Sequence, residues 1–158
     1  MNSSKKAVLD LLWNEPYKIG HWVGFKDLTT LHSEWLRSFL YADKDRTLLA
    51  HRGSYKTTDL SLFLAIHTVI DPNENVMFFR KTDDDVTEVL VQTQKILKAG
   101  CMQQIVGTLY GTDLQFLREN NSEIHTNLCT STKGVSQVVG LGIGTSITGK
   151  HADIVVTD

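Results

Sequence analysis

The residues whose types and spacing point most directly to chemistry are Lys56, Thr57 and Thr58, closing the stretch Leu48 to Thr58, LLAHRGSYKTT. An apolar run leads into a short polar turn containing Gly53. The lysine and two hydroxyls come next, and then an apolar segment of helical length. Strand, turn, Lys-Thr and helix is the order that a triphosphate needs. A helix N-terminus turns unpaired backbone N–H groups and the positive end of its dipole toward phosphate oxygens. A lysine adds a point charge on the β and γ oxygens, and the hydroxyl of Thr57 is placed to reach magnesium. The letters themselves are degenerate. Against G-x-x-x-x-G-K-[ST], neither glycine is present and Tyr55 stands at the second of the two positions, so the reading rests on context.

A second stretch, Gly144-Thr145-Ser146-Ile147-Thr148-Gly149-Lys150, fits G-x-x-x-x-G-K without a mismatch. His151 replaces the hydroxyl residue, however, and the next residues, ADIVVTD, read as a strand. Lys150 then has no helix N-terminus beside it, and the anion site loses its main donors. This stretch is better read as a loop delivering the chain into a buried strand. That strand, Ile154 to Val156, runs on to Asp158. In phosphate-loop enzymes a carboxylate at such a strand tip organises magnesium. The lesser alternative is that Asp158 merely starts a turn after the strand.

The elements that must position these groups alternate between helix and strand. Helical spacing covers 3–13, with Ala7, Val8, Leu11 and Leu12 on one face, and 28–40, where Thr29 or Thr30 serves as the cap. On the second helix, apolar spacing places Trp35 in the core and His32 at its edge. A strand is expected over Thr47–Ala50 and a helix over Thr57–Ile70, apolar almost all round and therefore buried on several sides. Val76–Phe79 reads as an interior parallel strand. The clearest helix is 82–99, with Thr82 as cap, Asp83, Asp84 and Asp85 in its first turn, and Lys95 and Lys98 in its last. Those three aspartates complement the helix dipole rather than forming a metal cluster. Leu114–Leu117 and Glu123–Leu128 flank Asn120-Asn121 as a hairpin, and Val138–Ile143 is a further strand. The pattern is that of an α/β domain with a largely parallel sheet and a hairpin insertion.

The 158 residues suffice for one domain with a real core. A net charge of −2 excludes a global basic field that binds nucleic acid unaided. Cys101 and Cys129 lack metal or disulfide spacing and read as reduced thiols, and no leader or membrane span is evident. A cytosolic protein is expected. ADIVVTD stops on a charged residue directly after an apolar strand, so the chain reads as a fragment.

With FKDLTTLHSEWL, HRGSYKTT, MFFRKTDDDV and GTSITGKHADIVVTD in view, the chain resembles the N-terminal ATPase domain of the large terminase subunit of tailed bacteriophages, the motor that packages DNA into proheads. An R-G-S-x-K-[ST] loop is a departure from the standard motif that this family uses. The resemblance implies a P-loop NTPase fold of the RecA/ASCE type, three-layered, with a mostly parallel sheet that is incomplete at its C-terminus. Residues 1–40 would be a helical lead-in with an adenine-contacting segment, and 41–158 a partial ATPase core without the nuclease domain.

Carried over to this chain, the cofactors are ATP and Mg2+. Lys56 contacts the β and γ phosphates and Arg52 senses γ-phosphate charge; these two are the catalytic candidates. His51, Arg52, Gly53, Ser54, Tyr55, Lys56, Thr57 and Thr58 form the nucleotide loop. Thr57 and Asp158 serve magnesium. His32 and Trp35 lie in the adenine-holding region, where Trp35 stacks on a base unless it belongs to the core. Arg80 is a nucleotide or DNA contact or a surface ion pair. The implied partners are double-stranded DNA, a small terminase subunit and a portal, around a homo-oligomeric ring in the bacterial host cytoplasm, with no membrane.

Two departures shape the expected activity. The family's water-positioning carboxylate comes directly after the Asp158 position, and its coupling strand lies between the phosphate-loop strand and the Asp158 strand. Both fall beyond these residues. The fragment alone is therefore expected to bind nucleotide weakly, to hydrolyse it negligibly and to associate. The rival readings are another ATPase of the same class, such as a helicase, and a non-catalytic prophage remnant or interaction module.

Overall fold

The computed structural model describes residues 3–145 and 151–158. The elements in chain order are α1 (Ser3–Asn14), α2 (Tyr17–Trp22), α3 (Thr30–Leu40), α4 (Lys56–Ile70), β1 (Val76–Arg80), α5 (Asp83–Lys98), α6 (Gly100–Tyr110), β2 (Phe116–Glu119), β3 (Glu123–Thr126), β4 (Val138–Gly142) and β5 (Ile154–Thr157). The five strands form one open mixed sheet in the order β2-β3-β4-β1-β5. β1 pairs in parallel with β4 on one side and β5 on the other, while β3 joins β4 antiparallel. The short apolar run at 76–79 is thus the interior strand its composition predicts, since burial on both faces removes any need for alternation.

Along the parallel strands the side chains still sort by face. Val76, Phe78, Val138, Ile154 and Val156 join the main core with the helices. Met77, Val139 and Leu141 form a smaller cluster on the other face, with Phe79 and Ala152 against it. Val155, level with Met77 in the register, lies on that second face and is 62% exposed. α5 packs on β1 and β4, α4 packs beside α5, and α3 packs on α4.

Local chemistry explains most boundaries. The Thr82 hydroxyl accepts from the Asp85 N–H, and the three aspartates occupy the first turn of α5, as the sequence suggests. The hairpin β2–β3 turns on Asn120, whose side-chain oxygen accepts from the N–H groups of Ser122 and Glu123. Two helices form where the sequence suggests none. Pro16 and Gly20 suggest a break, yet α2 forms, with Pro16 immediately before it. Gly100 suggests a stop, yet Ala99 adopts an extended conformation and α6 begins at once. Met102, Ile105 and Val106 on its inner face are buried, and their spacing is the signal that Gly100 obscures.

One expected element is absent. Thr47–Ala50 is not a strand, and Leu49 is 91% exposed. A strand exists by pairing with a neighbour. β5 is the last strand on that side of the sheet, and among the described residues nothing pairs with its outer edge. Among the described residues no helix is long and apolar enough to cross a membrane.

Candidate phosphate-binding site

Chain direction places the candidate loop. Five residues separate the end of α4 at Ile70 from the start of β1 at Val76. Gln137, just ahead of β4, donates to the carbonyls of Thr68 and Pro72, fixing the end of α4 to the start of the strands. The 15 residues of α4 span about 22 Å. The Ser61 hydroxyl donates to the Val89 carbonyl and the Thr93 hydroxyl to the Ser61 carbonyl, which lays α4 alongside α5 and turns its N-terminus toward the end of the sheet where β1, β4 and β5 finish. The N-terminus of α5 lies at that end too, since Gly142 donates its N–H to the Asp83 carboxylate. In open α/β sheets this is the edge that receives ligands.

The turn into α4 needs two left-handed residues. Gly53 has φ 83° and Tyr55 has φ 60°, ψ 20°. Tyr55 is the only non-glycine with positive φ among the described residues, and it stands where the standard motif has its second glycine. The backbone thus keeps the conformation for which a glycine would be chosen, at a cost of roughly 1–2 kcal/mol. Two contacts hold the tyrosine there. Its hydroxyl donates to Asp27 Oδ2 at 2.7 Å, which also raises the phenol's pKa. Its ring meets His32 edge-on, with centroids 6.1 Å apart. A Tyr55→Gly chain should be more stable than Tyr55→Ala by about 1 kcal/mol, against the usual disadvantage of glycine. Equal or reversed stabilities in urea unfolding would show that the residue is not left-handed in solution.

His32 fastens the loop from the other side. Its Nδ1 accepts from the Thr29 N–H at 2.9 Å, which assigns the proton to Nε2, and Nε2 faces the Ser54 carbonyl at 3.3 Å. His32 is buried and Trp35 only half-buried, the reverse of the expectation from apolar spacing. The reason is that His32 is satisfied on both nitrogens by helix start and loop, so burial costs it little. Trp35 packs edge-on against it at 5.1 Å and keeps part of its ring open beside the loop.

The other candidate residues occupy the loop tip, the first turn of α4 and the end of β5. His51, Arg52 and Gly53 are exposed at the tip, while Ser54 is buried, its hydroxyl donating to the His51 carbonyl at 2.7 Å. Lys56 curls back, its Nζ donating to the carbonyls of Ala50 at 2.8 Å and His51 at 3.0 Å. The first backbone bond of α4 runs from the Asp59 N–H to the Tyr55 carbonyl. The N–H groups of Lys56, Thr57 and Thr58 thus precede the intrahelical ladder, as at any helix start. Thr57 is half-buried and Thr58 buried. Asp158 lies at the same end of the sheet, ion-paired at 3.2 Å with Arg80. The ion pair is the simpler of the two roles open to Arg80.

This donor set suits a phosphate chain: free helix-start N–H groups, a lysine within reach of the loop and a hydroxyl in the first turn. Thr57 and Asp158 carry oxygen donors of the kind magnesium takes, but on separate elements, the first turn of α4 and the end of β5, and Asp158 is engaged by Arg80. The stretch 144–150 continues into β5 rather than a helix, as expected, although Ser146–Lys150 lies outside the described residues. The Asp27 partner and the His32 strut are features that sequence reasoning misses. For His32 the available signal is Thr29 three residues ahead of it; for Asp27 there is none.

Comparison with protein-family models, with curated proteins and with solved structures gave no match to this chain.

Proposed function

We propose that this chain is the nucleotide-binding part of a DNA-packaging ATPase of the phage terminase large-subunit kind, a three-layer P-loop NTPase in its complete form. The observation that carries the nucleotide reading is α4 beginning at Lys56-Thr57, directly after a left-handed turn, at the end of the sheet where the parallel strands finish. The DNA-packaging part rests on the resemblance of the four sequence stretches. Lys56 would leave the loop carbonyls for the β and γ phosphates, and the helix-start N–H groups would take further phosphate oxygens. Thr57 and Asp158 would hold magnesium, which supplies charge neutralisation on the transferring phosphoryl group. Arg52, exposed at the loop tip, would face the γ-phosphate, and Trp35 would offer a partly open ring to adenine. In the assembled motor, double-stranded DNA, a small terminase subunit and a portal are the proposed partners.

Magnesium-ATP titration calorimetry on the chain and on Lys56→Ala tests the reading. The variant should weaken binding about 10- to 100-fold, the value of one charge-assisted phosphate contact. Binding that is indifferent to Lys56, or absent from a folded chain, would overturn it. A second reading, an interaction module with a decayed nucleotide site, is favoured by the strained Tyr55 and the unpaired Thr47–Ala50. Loss of all nucleotide binding with retained folding is its signature.

A further inference from the structure

At the other end of α4 from Lys56 lies a surface cavity of about 470 Å³, walled by Leu9, Asp10, Trp13, Tyr41, Ile70 and Asp71. Its walls combine two features that recognise one kind of ligand. The first is aromatic. Trp13 and Tyr41 pack with centroids 4.3 Å apart, and the Tyr41 hydroxyl is fixed by donating to the Leu12 carbonyl at 3.1 Å. Trp13 nevertheless remains 50% exposed. The second is negative charge. Asp10 and Asp71 both line the cavity, and Asp71 caps the C-terminal end of α4, where the helix dipole is negative. No lysine or arginine is among its lining residues, although the guanidinium of Arg37 lies beside it against Trp13.

The chain itself shows what this tryptophan accepts. The guanidinium carbon of Arg37 sits 5.7 Å from the Trp13 ring centroid, within cation–π range. A guanidinium also presents the planar fork that carboxylates bind in pairs. We propose that the cavity between α1, Tyr41 and the end of α4 is a docking site for an arginine side chain of a partner protein, held by Trp13 and by the carboxylates of Asp10 and Asp71. The site is independent of the nucleotide reading, being at the opposite end of the helix.

The test uses the isotope-labelled full chain and tracks the indole N–H signals of Trp13, Trp22 and Trp35 by NMR, with Trp13→Phe identifying the first. The probe is acetyl-Gly-Arg-Gly-amide. The control is the same peptide with citrulline, which has the arginine shape without the charge. The arginine peptide should shift the Trp13 signal saturably and leave Trp22 and Trp35 in place, and citrulline should not. Asp10→Asn with Asp71→Asn should weaken binding about five-fold or more, with the rest of the spectrum unchanged. Asp71→Asn alone serves if the double variant does not fold. An unmoved Trp13 signal, equal responses to the two peptides, or undiminished affinity in the folded asparagine variants would each overturn the proposal.

Discussion

Replacing Asp59 with asparagine is expected to stabilise the protein by several kcal/mol at pH 8.5 and to change little at pH 4. Asp59 comes directly after Thr58 in the first turns of α4 and is only 3% exposed, and neither carboxylate oxygen has a hydrogen-bond partner. Burial pushes its pKa up from 3.8 to about 8. Linkage sets the sign. Between those two values the folded state holds a proton that the unfolded chain releases, so stability falls as pH rises through that window. Below pH 4 both states are protonated and there is no penalty. Above pH 8 both are ionised, and the buried charge costs roughly 5 kcal/mol. That is a large share of the 5–15 kcal/mol typical of a domain.

Other groups run the opposite way. His67, buried beside α4's end, has its pKa lowered, chiefly by desolvation, and Asp153 has its own lowered, chiefly by the Lys133 bond. Each removes stability as pH falls, His67 below its usual value and Asp153 below the carboxylate range. The difference between wild-type and Asp59→Asn profiles cancels these shared terms. Urea unfolding of both chains from pH 4 to 8.5 therefore isolates Asp59. Parallel profiles across that range would mean that water or a cationic partner reaches the carboxylate in solution.

Gly140→Ala should destabilise the fold by about 3 kcal/mol, at the upper end for an overpacked core. A Cβ there would lie 2.5 Å from Val86 Cγ1 and 2.6 Å and 2.8 Å from the Phe78 ring. Both neighbours are buried, and Phe78 sits on the strand directly beside Gly140 in the register. Neither can withdraw without disturbing the α5–sheet contact that sets the site's end of the sheet. Removing one obstacle should help. Val86→Ala in the Gly140→Ala background should recover at least about 1 kcal/mol relative to additivity. Additive losses would place the strain elsewhere. Thermal unfolding of the four chains of this cycle gives the answer.

Much of this architecture is legible in the chain because it depends on local period and local capping. The apolar run at 76–79, the Thr82 cap with its three aspartates, the Asn120 turn and the apolar residues spread round α4 from Leu60 to Ile70 each carry their signal within a few residues. The order of loop, Lys-Thr and helix is legible for the same reason. What the chain by itself did not determine are the features made by contacts between distant segments. Thr47–Ala50 has a strand's composition, yet whether it is a strand depends on a neighbour at the edge of β5. Trp35 and His32 exchange their expected burial because the His32 nitrogens find Thr29 and Ser54, the latter 22 residues away. Tyr55 holds a glycine's conformation because Asp27 and His32 brace it from other parts of the chain. Asp59 looks like an ordinary first-turn acid, and only the packing of α4 on its neighbours strips it of water and partners. Propensity and spacing act over one or two turns, whereas burial and pairing are properties of the assembled fold, and the tertiary structure alone decides them.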